Sequence, residues 1–475
     1  MLIIGKYIHI RGVIKLLLQA KKKLKFLSSV LSNPARVIVS SFALLILTGA
    51  FLLMLPICSK SGLATDFITA LFTATSATCV TGLIVVDTFT YFSIVGQVVI
   101  LFLIQLGGLG LVTFATFFNI AIRKKIGLKS LYIAQESVSS DNMSDIGRLI
   151  KLVFVVTISF EFVGACILAS VFIPQYGQAG IFISIFTAVS AYCNAGFDLF
   201  GFQGQFSSLV NYHDNPVVLI TIMALIICGG LGFIVWQELF YFKKRKRISL
   251  HTKIVLIATG LLIVLGALFV GLFEWSNINT MADMTTGEKV LNSFFQSVTA
   301  RTAGFNSIAI EKMFGITKLF MVILMFIGAA PGGTGGGIKV TTFYVLLMTV
   351  ICVMQGKDET IISKRKVDKS VIYKAMAVIS IALLVVFVST STIFFTSHAG
   401  GVNFSEIDAL FESVSAFATV GLTSGVSAVA NTASRMILIF TMFIGRVGPV
   451  SLALSLAMKI QKKNTVLPEA KIMVG

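Results

Sequence analysis

The sequence predicts an all-α integral membrane protein made of four consecutive helix, re-entrant segment, helix units arranged around one axis. Three observations carry that prediction: an apolar composition, eight stretches long enough to cross a bilayer, and a short glycine-ended motif that recurs four times. Of 475 residues, 56% are hydrophobic and 12% charged, with a mean hydropathy of +0.95, more apolar than soluble domains of any size. About 20 apolar residues are needed to cross the hydrocarbon, and stretches of that length lie near 37–57, 91–122, 150–173, 216–240, 253–273, 317–356, 373–397 and 434–458.

Residues 1–36 form a basic arm with eight Lys or Arg and no apolar stretch ending in a small-residue cleavage site, so it reads as a cytoplasmic segment and not as a signal peptide. Leu16, Leu17, Leu18, Leu24, Phe26 and Leu27 among its lysines suit an interfacial helix on anionic lipid; a plain basic tail suits them equally. The four units then occupy 37–129, 130–247, 248–369 and 370–463, and 464–475 is a short tail. The connections after each second apolar stretch are basic: Arg123 to Lys125 with Lys129, Lys243 to Arg247, Lys357 to Lys369, and Lys459 with Lys462 and Lys463. By the positive-inside rule these connections, and both termini with them, are cytoplasmic. The net charge of +18 is thereby explained by orientation, and nucleic-acid binding is set aside. The opposite loops carry Asp66, Asp87, Asp198, Asp214, Asp283, Glu288, Glu406, Asp408 and Glu412, an acidic surface that concentrates cations.

The recurring motif is TCVTG at Thr78 to Gly82, YCNAG at Tyr192 to Gly196, ARTAG at Ala300 to Gly304 and FATVG at Phe417 to Gly421. Each copy follows a Phe-containing, Ser/Thr-rich segment (LFTATSA, IFTAVSA, FFQSVTA, LFESVSA) and lies between two long apolar stretches. The segments are too short to cross twice and suit half-helices that enter and return. Asp66, Glu288 and the Ser405 to Asp408 run stand at their expected starts, where carboxylates and a serine satisfy free amides and the positive end of the dipole. A dehydrated cation needs a ring of oxygens, and main-chain carbonyls supply them without titrating. The candidate ring is Cys79, Val80, Thr81 and Gly82; Cys193, Asn194, Ala195 and Gly196; Arg301, Thr302, Ala303 and Gly304; and Ala418, Thr419, Val420 and Gly421. One glycine per copy, against two in TVGYG, predicts a shorter and less strict filter.

With these four motifs, residues 36–460 resemble the Ktr/Trk/HKT superfamily of potassium transporters, and most of all the ion-conducting membrane subunit of the bacterial Ktr type, because the N-terminal arm lacks the extra pair of spans of the Trk type. The resemblance implies potassium as the transported ion, sodium as a coupling or activating ion, and no cofactor in the chain. A glycine at the first motif goes with potassium preference in that family and a serine with sodium; Gly82 matches the former. The resemblance also implies a homodimer with two separate pores and a nucleotide-binding regulatory ring on the cytoplasmic face.

A second glycine cluster follows each motif: Gln105 to Gly110, Cys228 to Gly232, Gly328 to Lys339 and Gly445 to Pro449. The first two read as close helix packing. The third, with six glycines and Pro331 between Gly328 and Gly337, cannot remain helical. Irregular backbone at membrane depth lines a wet cavity, so Gly332, Gly333, Thr334, Gly335, Gly336 and Gly337, with Lys339, belong under the filter, and the resemblance makes them a gate. Ile338 intervenes before Lys339, so the loop is not a GxxxxGK[ST] phosphate loop. Arg446, near mid-span, needs partners, for which the loop carbonyls are the expected ones; the resemblance places it beside the gate. Glu161 reads as a helix-to-helix hydrogen-bonding residue, and Arg301 as a brace for the third motif.

Six cysteines without a CxxC indicate neither a disulfide framework nor a zinc or other transition-metal site. Four scattered histidines and the absence of HExxH leave no enzyme constellation. A secondary transporter of another solute also has broken helices, but it would use inverted repeats, whereas every unit here starts from the same basic side. A sodium-permeable member of the same superfamily is the other alternative.

Overall fold

The computed structural model describes residues 34–121, 135, 146–400 and 404–456. The N-terminal arm up to residue 33, the basic connection at 122–129 and the segment from 457 onward lie outside these.

Four units of one order follow each other. The first is α1 (Pro34–Leu53), α2 (Phe67–Cys79), α3 (Ile94–Leu109) and α4 (Leu111–Ala121). The second is α5 (Ile146–Tyr176), α6 (Ala179–Cys193), α7 (Pro216–Gly230) and α8 (Phe233–Phe240). The third is α9 (Leu250–Glu274), α10 (Thr286–Thr299), α11 (Gly315–Phe326) and α12 (Val340–Met354). A two-residue hairpin, with Ile361 opposite Lys366, connects it to the fourth: α13 (Lys369–Ala399), α14 (Glu406–Ala418), α15 (Thr432–Val447) and α16 (Pro449–Leu456). The long opening helices α1, α5, α9 and α13 are apolar and long enough to cross a membrane.

The short helices α2, α6, α10 and α14 are the expected half-helices. Asp66 accepts the amides of Ile68 (3.0 Å) and Thr69 (3.2 Å), Thr285 and Glu288 form a capping box, and Ser405 accepts the Asp408 amide at 3.1 Å, so three of the four starts have side-chain caps. Each half-helix buries one phenylalanine of its motif completely: Phe72, Phe186, Phe295 and Phe411. The half-helix of every unit packs on the second helix of the unit before it: α3 on α6, α7 on α10, α11 on α14, and α15 back on α2. The four units therefore close into a ring, and Arg36 Nε donates to Ser455 O at 2.8 Å, fastening α1 to α16.

The second helices differ from expectation. The stretches 91–122, 216–240 and 434–458 read as single spans, yet each is interrupted, as the third unit is. The breaks fall at Gly110 (φ +80°, ψ 129°), Gly232 (φ +89°, ψ 144°) and Gly448 (φ +89°, ψ 133°), a backbone region that essentially only glycine adopts. The packing reading of the first two clusters holds for their inner glycines. Gly107 and Gly229, like Gly445 in the fourth unit, press against the carbonyls of Thr78, Tyr192 and Phe417, leaving no room for a Cβ. It fails for the last glycine of each cluster, which ends the helix.

Candidate functional site

Three of the half-helices end in one way. Val80, Asn194 and Thr419 take left-handed conformations (φ +58°, +61° and +52°). The next amide returns to a serine carbonyl: Thr81 to Ser76 (2.8 Å), Ala195 to Ser190 (2.7 Å), Val420 to Ser415 (2.9 Å). Ser76 and Ser415 also accept the amides of Gly82 and Gly421 through their hydroxyls, both at 3.1 Å. The third unit has Val298 where the others have serine; α10 ends at Thr299, and the left-handed residue is Thr302 (φ +73°). Left-handed Val80, Thr302 and Thr419 are β-branched, and such residues cost on the order of 1–3 kcal/mol each in that region. Strain of this kind collects at functional sites.

The four motif glycines all have positive φ: Gly82 +89°, Gly196 +69°, Gly304 +87° and Gly421 +92°. A Cβ on Gly82 would stand 2.6 Å from Ala195 O, and one on Gly196 2.6 Å from Ala303 O. On Gly304 it would run into Val420 O, and on Gly421 into Thr81 O. Each glycine thus abuts the carbonyl that precedes the glycine of a neighbouring unit, and the contacts run once around the ring. Thr81, Ala195, Ala303 and Val420 are wholly buried, and among the described residues none of their carbonyls accepts a hydrogen bond. Buried carbonyls are nearly always paired, so four unpaired ones meeting in one ring are oxygens available to a cation.

Several motif side chains bond to neighbouring elements. Cys193 Sγ lies 3.6 Å from Gln105 Oε1 and 3.9 Å from Glu161 Oε1. Gln105 Nε2 donates to Glu161 Oε2 at 3.3 Å, so Glu161 is the interhelical hydrogen-bonding residue expected of it. Arg301 donates to Thr259 Oγ1 at 3.3 Å, a bond that braces the third segment against α9. The amide of Asn194 and the hydroxyl of Thr302, 3.1 Å apart, join the second segment to the third.

Beneath the ring lies the irregular segment 327–339. Gly328 N donates to Ile338 O (2.9 Å) and Val340 N to Ala329 O (3.2 Å), closing its base. Thr334 Oγ1 donates to Tyr192 O at 3.1 Å and Gly336 N to Thr419 Oγ1 at 3.0 Å. A Cβ on Gly335 would collide with the Thr302 hydroxyl, and one on Gly337 would come within 2.9 Å of Ala418 Cα. The loop is glycine-rich because it lies flat against the second, third and fourth segments. Arg446 reaches it from α15, donating to Thr334 O and to the carbonyls of Gly107 and Gly108 of the first unit. Lys339 Nζ donates to Gly335 O at 2.6 Å. A cavity of about 260 Å³, lined in part by Phe42, Phe233, Lys339 and Arg446, opens below.

Glu412, expected in a surface loop, is inside α14 and fully buried; it accepts from Thr423 Oγ1 (2.9 Å) and Ser427 N (3.1 Å), tying the chain after Gly421 to its own half-helix. Its place four residues after Asp408, on one helix face, was the available signal. Asp408 itself pairs with Lys318 of α11 at 2.8 Å, a contact the sequence reading missed. Asp87 accepts from Thr90 N (2.8 Å) and Phe206 N (3.3 Å). Asp198, two residues after Gly196, accepts Phe200 N at 3.0 Å; burial pushes its carboxyl up to about 7, that bond opposes the shift, and Asp87 adds to it.

Closed ring, unpaired carbonyls and apolar helices define a membrane protein that handles cations. The chain belongs to the TrkH family of cation transport proteins, whose profile matches residues 4–466. It is 42% identical over 455 residues to Ktr system potassium uptake protein B of Bacillus subtilis (strain 168), covering 96% of this chain and 99% of that one. To potassium/sodium uptake protein NtpJ of Enterococcus hirae it is 37% identical over 446 residues, covering 93% and 97%. The solved structure of the potassium transporter TrkH from Vibrio parahaemolyticus is similar with a TM-score of 0.67 and 17% identity, over 90% of this chain and 85% of that one; at that identity the likeness is one of fold.

Proposed function

We propose that the chain carries out potassium uptake, with K+ passing the ring at Gly82, Gly196, Gly304 and Gly421 and the 327–339 loop acting as the gate. The observation that carries this reading is the set of buried, unpaired carbonyls of Thr81, Ala195, Ala303 and Val420. The potassium uptake named for the relatives agrees with it. The half-helices direct their negative ends at the ring, which favours a cation and disfavours an anion. The basic connections face the cytoplasm and the acidic loops face outward. The loop, held against three of the four segments and latched by Arg446, obstructs the path at rest.

The assembly is a homodimer with one pore per chain, regulated by a cytoplasmic nucleotide-binding ring, in keeping with relatives named as parts of a Ktr system. Sodium acts as a coupling or activating ion. The second reading, conduction of sodium as cargo, is favoured by the potassium/sodium uptake named for NtpJ and disfavoured by the glycine at position 82. Uptake of rubidium-86 by cells lacking their own potassium transporters tests both. Producing the chain should restore uptake against excess sodium; cells that gain sodium uptake alone would overturn potassium as the substrate.

A further inference from the structure

The second unit is joined to the loop by three main-chain hydrogen bonds, where the second helix of the fourth gives one, Gly337 N to Gly445 O at 3.4 Å, and the connection from the second leads to the membrane surface. Ala330 N donates to Gly230 O (3.0 Å), Thr334 N to Gly229 O (3.2 Å) and Phe233 N to Gly332 O (3.0 Å). Half of the loop is therefore stitched to the α7/α8 break. A Cβ on Gly232 would meet Pro331 O at 2.6 Å, whereas at Gly110 and Gly448, with the same backbone shape, the nearest atoms are hydroxyls of Thr113 (3.7 Å) and Ser451 (3.9 Å). Glycine is needed at 232 for its conformation and again for its contact with the loop.

Beyond the break, α8 turns 95° from α7. The 15 residues of α7 rise about 22 Å, short of the ~30 Å hydrocarbon core, so α8 starts inside the inner leaflet and runs across it. Its end is fixed in depth because Glu238 Oε2 accepts Ser249 N at 2.9 Å, and Ser249 caps the start of the membrane-crossing α9. Trp236 secures the inner face, packing on Phe160 of α5 with ring centroids 4.9 Å apart and donating to Cys228 O at 2.9 Å. Outward, Phe240, Tyr241 and Phe242 are exposed. The basic run Lys243 to Arg247 follows at once, with Lys243, Lys246 and Arg247 exposed. An in-plane helix ending in exposed aromatics and then a polybasic run is built for the headgroup region of an anionic leaflet.

We propose that α8 and the 240–247 run form a binding site for anionic phospholipid on the cytoplasmic leaflet, and that lipid held there sets the position of the gate loop through the Gly232 break. The coupling half rests on the gating reading above; the lipid site does not. Aromatic rings enter the acyl boundary, the basic residues hold the phosphates, and the seating depth of α8 fixes Gly229 to Phe233 against Ala330 to Thr334.

The test uses the full chain in liposomes, with Trp275→Phe leaving Trp236 as the one tryptophan of the two in the chain. Quenching of Trp236 by brominated phosphatidylglycerol should exceed that by brominated phosphatidylcholine, with an apparent preference of about fivefold, which one basic residue suffices to give. Lys243→Gln/Lys244→Gln/Arg245→Gln/Lys246→Gln/Arg247→Gln, which removes every basic residue of the run, should abolish the preference. Rubidium-86 flux should change with the phosphatidylglycerol fraction in the parent and stay flat in that variant. Gly232→Ala should keep the quenching preference and lose the flux dependence; if it does not fold, Glu238→Ala, which frees α8 from α9, takes its place. Equal quenching by both lipids would overturn the lipid site and leave the basic run to a protein partner. Preferential quenching with flux that still follows the lipid in Gly232→Ala would overturn the coupling. Failure of the gate itself is read separately, as unchanged flux on deletion of 332–337.

Discussion

Gly421 stands against the carbonyl of Thr81, so closely that a methyl group on the glycine would occupy the oxygen's place. The two residues are 340 positions apart in the sequence. Their contact is where the fourth unit meets the first.

The ring geometry makes Gly82→Ser a test of selectivity. The serine Cβ would sit in a φ +89° conformation, 2.6 Å from Ala195 O, and must tilt one pair of segments while the other two keep their oxygens. Preference for potassium over sodium should drop, by about tenfold for each 1.4 kcal/mol of lost differential binding, with transport retained. Competition of sodium against rubidium uptake measures it, and an unaltered ratio in active protein would mean that Gly82 only packs.

Shortening the loop by residues 332–337 should raise flux without loss of folded protein, because the Ile327 to Ile338 bridge that closes its base remains. Arg446→Ala should act in the same direction, since its guanidinium joins Thr334 O to Gly107 O and Gly108 O. Flux at or below the parent level in well-folded deletion protein would count against gating. Loss of folded protein in Arg446→Ala would mark a purely structural arginine.

Lys318 and Asp408 form a mostly buried ion pair between the third and fourth units, with side chains 10% and 18% exposed. Lys318→Met leaves a carboxylate in an apolar setting and should cost about 2 kcal/mol, below the range for a fully buried pair. Thermal unfolding in detergent reports it, and Lys318→Met/Asp408→Asn should recover part of the loss. A single variant as stable as the parent would show that the pair contributes nothing.

Asp198 supplies a pH dependence. Its carboxyl, raised to about 7 by burial, is neutral below that value and charged above it, so apparent affinity for the entering cation should improve between pH 6 and about 8. Asp198→Asn should flatten the profile. Stability has the opposite sign: with the folded value above the ordinary 3.8, stability is full at low pH and falls as pH rises from about 4 through 7. The asparagine variant should not show that fall.

The four half-helices and the positions of their glycines were legible because each is a local pattern repeated four times, and the caps at three of the starts because each is a short local signal. The broken second helices were not. Gly107 to Gly110 and Gly229 to Gly232 each combine a packing glycine with a breaking one, and residue identity does not distinguish φ −60° from φ +80°. Arg301 was read as a brace, but its partner, Thr259 of α9, was not legible, because the helix that a side chain reaches depends on where α10 ends, two residues earlier than its counterparts. The Lys318 to Asp408 pair joins two units and leaves no local trace.

The bridge between Ile327 and Ile338 also has a kinetic meaning. It makes the loop a blocker tethered at both ends, whose effective concentration at its own site is set by the tether and not by how much protein is present. On the gating reading, the resting block is then the same at any expression level, and soluble peptides copying 328–337 would compete poorly against a segment already held in place. Opening must come from a change in the loop's anchors, since dilution cannot remove it.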